Sequence, residues 1–235
     1  MAVQILGDAW DTITGCTKVS AGCRDCYAEK FTGWINRMGN TDKYSAGFGV
    51  VKCHDDVLDV PRRRKKPKTY FVNSMADTFH KDVPDEFIRK LLDVMNACPQ
   101  HTFQLLTKRS DRMVKLSSKL KYGDNIWQGV SVESCDYLHR IDDLRLVPAR
   151  VRFIMFEPLI SAVGKLNLDG IHWAIVGGES GGGTDRFRLM NTQWVRAIRD
   201  QCIEAGVKFV FKQYAGKRPQ DLGRELDGRI WDERP

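Results

Sequence analysis

From Thr69 onward the chain alternates short apolar runs with helical stretches, and this alternation narrows the possible folds more than any other feature. Thr69–Asn73, Thr102–Thr107, Ile126–Val132, Val151–Phe156, His172–Val176 and Val207–Phe211 each read as a β-strand. Between them, Pro84 opens a helix that runs to Asn96, with Phe87, Leu91, Leu92 and Met95 on one face. Asp111–Lys119, Cys135–Leu144 and Thr192–Ala205 also read as helices, the last closed by Gly206. Strands separated by helices form βαβ units and hence a parallel sheet, and right-handed crossovers wind such a sheet into a barrel. The expected fold class is therefore α/β, a partial or complete (β/α) barrel of parallel strands in one domain over residues 1–235. A flat doubly wound sheet is the runner-up. A further, weakly marked strand is expected around Ile13. The polar tail from Gly216 is expected to cross the surface or close the bottom of the fold.

In such a barrel the chemistry sits beyond the carboxyl ends of the strands. Polar sets follow the apolar runs at just those places. They are Asn73-Ser74-Met75-Ala76-Asp77, Thr107-Lys108-Arg109, Ser131-Val132-Glu133, Glu157-Pro158, the segment Gly177–Gly183 and Lys212-Gln213-Tyr214. Loops are polar wherever they are exposed, but each of these sets starts directly after a strand, where side chains point into the barrel mouth. Gly177–Gly183 carries five glycines around Glu179 and Ser180, which lets backbone amides approach an anion or cofactor. Its spacing matches neither the phosphate-loop nor the dinucleotide pattern. Glu179 could accept from an ammonium, and Lys108, Arg109 or Lys212 could pair a carboxylate. His80, close to Asp77, is read as a bystander.

Upstream lies the most chemically distinctive stretch. Cys16, Cys23 and Cys26 read C-x6-C-x2-C with no fourth cysteine close by. Three thiolates hold a soft metal or a cluster. Structural zinc takes four protein ligands, for which His54 or Cys53 would complete the shell. A [4Fe–4S] cluster on three cysteines leaves one iron open to a substrate or cofactor. Tyr27 adds an aromatic where a cofactor ring could pack. Three reduced, metal-free cysteines are the remaining alternative. Glu29–Met38 reads as a helix and Gly39–Gly49 as a loop.

Composition bounds the partners. The net charge is +7 and the sequence pI about 9.0, which favours polyanions such as nucleic acid. The basic excess is focused in Arg62–Lys68, which enters the barrel from the bottom, so phosphate contacts are expected to depend more on Arg109, Arg186 and Arg188. No apolar run approaches the roughly 20 residues that span a bilayer. Met1–Trp10 lacks the regions of a signal peptide, and the other four cysteines (Cys53, Cys98, Cys135, Cys202) suggest no disulfide framework. A cytoplasmic location without membrane contact is expected.

Gly15-Cys16-Thr17-Lys18-Val19-Ser20, Gly22-Cys23, Cys26-Tyr27-Ala28-Glu29 and the strand-end sets together resemble the phage three-cysteine-motif family. This is a group of phage and bacterial proteins related to the radical S-adenosylmethionine (AdoMet) enzymes. The resemblance spans nearly the whole chain. It implies a [4Fe–4S] cluster on Cys16, Cys23 and Cys26, with AdoMet chelating the open iron and cleaved reductively to methionine and a 5′-deoxyadenosyl radical. AdoMet would sit in the barrel mouth among Tyr27, Asn73, Ser74, Lys108, Ser131, Glu133, Glu157, Gly178, Glu179 and Lys212. An electron donor would reduce the cluster, and a phage-encoded chain would act in a bacterial host cell. Two features depart from the usual pattern. The first cysteine gap is six rather than three, and Gly177-Gly178-Glu179 follows a late strand rather than an early one, which passes the ammonium-binding role to Asn73 and Ser74. The function so implied is modification or repair of a nucleic acid or nucleotide. The alternative is a non-catalytic nucleic-acid-binding protein whose three cysteines hold a structural metal.

Overall fold

Seven parallel strands run side by side in the order in which they occur in the chain. They are β1 (Asp8–Trp10), β2 (Thr69–Val72), β3 (Thr102–Thr107), β4 (Ile126–Ser131), β5 (Arg152–Phe156), β6 (Trp173–Gly177) and β7 (Lys208–Gln213). The computed structural model describes residues 5–39 and 43–235; part of the expected loop Gly39–Gly49 and the start of Met1–Trp10 lie outside them. A doubly wound sheet reverses its strand order at a switch point. This order never reverses, so every crossover advances the same way and the sheet curls into part of a barrel.

All six strands expected from the sequence are present, within a residue or two at their ends. The seventh differs. Ile13–Thr14 is extended, but it pairs antiparallel with Lys52–Cys53 in a separate ribbon, and the sheet's first strand is Asp8–Trp10. A three-residue strand carries too little alternation to be recognised from sequence.

Side-chain alternation sorts the sheet's two faces. Outward-facing Tyr70, Val72, Phe103, Leu105, Ile126, Val130, Ile154, Phe156, Ala174, Val176, Phe209 and Phe211 join the larger hydrophobic core. The helices α2 (Asp85–Asn96), α3 (Ser110–Ser117), α4 (His139–Arg145) and α5 (Thr192–Ala205) cover that face through residues such as Leu91, Met113, Leu144 and Ile198. Counting in chain order, α1 (Tyr27–Arg37) precedes them, and no described side chain of it belongs to that layer. Inward-facing Phe153, Met155, Trp173, Ile175 and Val210 form a second cluster with Ile5, joined by Leu6, Leu106 and Trp127. Trp127 and Trp173 meet edge to face at 6.2 Å, filling the amino-terminal end of the barrel. Gly129 is required on this inner face, since a Cβ there would lie 2.4 Å from the Phe153 ring.

The tail after Gly216 neither merely crosses the surface nor simply plugs the bottom. Phe211 N donates to Trp231 O at 3.1 Å and Glu233 N to Phe209 O at 3.2 Å, so the tail runs antiparallel along the outer edge of β7. An unpaired edge strand invites association with other chains, and this tail covers it.

Candidate functional site

The inward period of two continues past the strand ends. Leu106 is followed on its face by Lys108, Ser131 by Glu133, Met155 by Glu157 and Val210 by Lys212. An apolar barrel floor thereby turns polar at the carboxyl ends, where a cavity of about 380 Å³ opens. Cys16, Cys23 and Cys26 all border it. So do Tyr27, Asn73, Ser74, Lys108, Ser131, Glu157, Gly178, Glu179 and Lys212. Of the expected cofactor-binding residues only Glu133 is off the wall, fully buried beneath the cysteine loop.

Three acidic residues, one after each of β2, β4 and β6, organise that loop. After β2, Asp77 accepts from Thr107 Oγ1 at 2.7 Å, from the backbone amides of Phe79 and Lys108, and from Arg109 Nη1 at 3.1 Å. Arg109 in turn donates to Thr17 O at 2.9 Å, to Thr17 Oγ1 at 3.1 Å and to Cys16 Sγ at 3.6 Å. After β4, Glu133 takes Ser20 Oγ at 2.7 Å, Lys108 Nζ at 3.2 Å and Arg140 Nη1 at 2.9 Å. Burial raises the Glu133 pKa, but Lys108, Arg140 and the Ser20 hydroxyl outweigh it and hold the carboxyl below its ordinary value. A Cβ on Gly22 would come within 2.5 Å of the Glu133 side chain, so the loop lies directly on it. After β6, Glu179 accepts from Arg188 N at 2.7 Å and Arg188 Nε at 2.8 Å, while Arg188 Nη1 donates to Ala21 O at 2.9 Å. Thr17, Ser20 and Ala21 are thus tied to three points around the barrel rim.

These bonds change how several expected residues function. Asn73, at a left-handed φ of 57°, spends its carbonyl oxygen on Thr12 N, Thr12 Oγ1 and Ile13 N, and its amide on Thr78 Oγ1. Lys108 faces Glu133. Ser74 Oγ donates to Asp11 Oδ1 at 3.0 Å, and the Tyr27 hydroxyl donates to Ser74 O. Arg109 and Arg188, expected at a phosphate-binding mouth, are both engaged in ion pairs. His80 is fully buried and meets Thr17 Oγ1 at 2.7 Å, so it supports the loop rather than standing apart. Arg62–Lys66 is exposed ahead of β2, at the end of the sheet opposite the cavity.

Glu157 and Lys212 form a different kind of pair. Lys212 Nζ lies 2.7 Å from both Glu157 carboxylate oxygens, and both residues border the cavity. They reach each other past β6 because Gly177 has no side chain; a Cβ there would sit 3.0 Å from the Glu157 carboxylate. The register shift between Val176 and Gly177 pairs Gly177 with Gln213 and turns Gln213 toward the cavity as well.

Asp11, Arg140 and the anchoring roles of Thr17, Ser20 and Arg188 were not legible as site features. The one local signal is Arg140, a cation on the buried side of α4 beside Ile141 and Leu144.

The three thiols are a soft donor set around one cavity, which suits a cluster or soft metal chemically. They are not drawn to a common point: among the described residues no three His, Cys, Asp or Glu side chains are grouped to hold an ion. His54 and Cys53 lie on or next to the side ribbon, away from the cavity wall, with His54 Nε2 2.9 Å from Thr14 Oγ1. Burial, aided by Asp77, pushes the Cys16 thiol up to about 11, with Arg109 acting in the opposite direction. A metal on Cys16 would have to displace its proton.

Fold and cavity together define an α/β protein with a partial parallel barrel whose candidate site lies at the strands' carboxyl ends. The chain belongs to the family described as protein of unknown function DUF5131, whose model matches residues 2–235. No curated protein and no solved structure matches it. No helix among the described residues is long and apolar enough to cross a membrane.

Proposed function

We propose that the protein is an iron–sulfur enzyme of the radical AdoMet class, acting on a nucleic acid or nucleotide. The observation that carries the reading is the convergence of Cys16, Cys23 and Cys26 with the strand-end polar residues on one cavity. When bound, a three-cysteine cluster with AdoMet supplies reductive homolysis of a carbon–sulfur bond, and the protein's task is to orient the reactants and exclude water.

The chain's own residues divide that task. Asp77–Arg109, Glu133–Lys108–Arg140 and Glu179–Arg188 hold the cysteine loop over the barrel. Phe71, Leu106 and Met155 give the cavity an apolar floor. Glu157 and Lys212 present opposite charges to a bound molecule. The +7 charge favours a polyanionic substrate. An external electron donor and a reducing, cytoplasmic setting belong to the same reading, as does a phage origin; all seven cysteines are free thiols. The zinc alternative loses the fourth ligands the sequence suggested for it, since neither His54 nor Cys53 borders the cavity.

The test is anaerobic reconstitution with iron and sulfide, then reduction with AdoMet present and chromatography for 5′-deoxyadenosine and methionine. Iron uptake is expected in the parent and lost in Cys16→Ala, Cys23→Ala and Cys26→Ala, but kept in Cys98→Ala and Cys202→Ala. Equal iron in all five variants and the parent removes the reading.

A further inference from the structure

We infer that Arg109 is the residue that positions Cys16 as a metal ligand, an inference that rests on the three cysteines binding metal as proposed above. Arg109 is 9% exposed, and its guanidinium makes three contacts with one end of the cysteine loop and a fourth with Asp77. Nη2 grips the Thr17 carbonyl and hydroxyl at 2.9 and 3.1 Å. Nη1 spans from Asp77 Oδ2 at 3.1 Å to Cys16 Sγ at 3.6 Å. The planar fork is what lets one side chain serve a sulfur, a carboxylate and a peptide oxygen at once; an ammonium has no such geometry.

The arrangement has the form of an outer-shell support. Asp77, fixed by Thr107 and two backbone amides, orients Arg109, and Arg109 orients the sulfur. His80 closes the ring through Thr17 Oγ1. Groups that orient ligands in this way typically contribute 10- to 100-fold to metal affinity. Were a cluster held there, the Arg109 hydrogen bond to the Cys16 sulfur would also favour its reduced state, because hydrogen bonds to the sulfurs raise the potential. Cys23 and Cys26 have no arginine contact of this kind among the described bonds; Cys23 Sγ has Ser20 Oγ at 3.5 Å. The three thiols are therefore unequal, and Cys16 is the preorganised one.

The experiment compares the parent with Arg109→Lys and with the double variant Arg109→Met/Asp77→Asn, in which no buried charge is left unpaired. Circular dichroism confirms folding. Cobalt(II) titration of the metal-free chains reads affinity through the thiolate charge-transfer band, and a redox titration of the reconstituted chains reads the midpoint potential. Affinity is expected to fall roughly tenfold or more in the double variant, with Arg109→Lys between it and the parent. The double variant's potential is expected to move negative. Unchanged cobalt affinity and potential in a folded double variant overturn the role of Arg109 while leaving the cluster in place. A parent that binds cobalt but not iron and sulfide removes the cluster reading, and the cobalt series alone then decides for or against Arg109. A parent that binds neither overturns both.

Discussion

Arg188 reaches back to Glu179, Nε to Oε2 at 2.8 Å, and the same guanidinium donates to the Ala21 carbonyl at 2.9 Å. Glu179 is 4% exposed, and Arg188 is the cation that pairs with it. One ion pair thereby joins the end of β6 to a loop more than 150 residues earlier in the chain.

Removing Arg188 as Arg188→Met strands a buried carboxylate and is expected to cost about 3 kcal/mol in denaturant unfolding. Adding Glu179→Gln should recover part of that loss, since the pair is coupled. Amide hydrogen exchange across residues 20–26 should quicken in both. Additive losses in the double variant would contradict the coupling.

On the barrel's inner face, Gly129→Ala places a methyl group 2.4 Å from the Phe153 ring. Overpacking of this kind costs about 1–3 kcal/mol. Combining it with Phe153→Leu should cost less than the sum of the two single changes, measured by chemical denaturation. A Gly129→Ala protein as stable as the parent would show that the inner face has slack.

The acidic limb of titration offers a local readout. Arg196 and Arg199 lower the Asp227 carboxyl from 3.8 to about 2. A depressed folded-state pKa stabilises above the unfolded value, and that contribution fades as pH falls from about 3.8 through about 2. Carboxyl NMR should find Asp227 near 2 in the parent and closer to its ordinary value in Arg196→Ala/Arg199→Ala. Identical titration in the two proteins would refute the pairing.

Nucleic-acid affinity, if it reflects phosphate contacts, should respond to Arg63, Arg64, Lys65 and Lys66, which are exposed. Arg109 and Arg188 are already held by Asp77 and Glu179. In a salt titration of single-stranded DNA binding, each lost phosphate contact should flatten the slope by about one unit. A slope that is unchanged in the fourfold alanine variant would exclude this surface.

The sequence by itself determined six of the sheet's seven strands, the helices against them and the location of the polar residues. Alternation in runs such as Ile126–Val132 is a local property, and continuing it by two residues places Glu133, Glu157 and Lys212 on the inner face. Clustering of Cys16, Cys23 and Cys26 was equally local. What each polar residue does was decided by the tertiary structure alone. Glu133 looked like a ligand-binding carboxylate but lies beneath Ser20 and Gly22, because the path of the cysteine loop across the rim, not any neighbour in sequence, supplies its partners. The same holds for Arg109 and Asn73, whose bonds to Thr12, Ile13, Cys16 and Thr17 span 60 to 93 residues. The first strand and the tail's place along β7 follow likewise from backbone pairing between distant segments, for which three residues or an irregular tail leave no periodic trace.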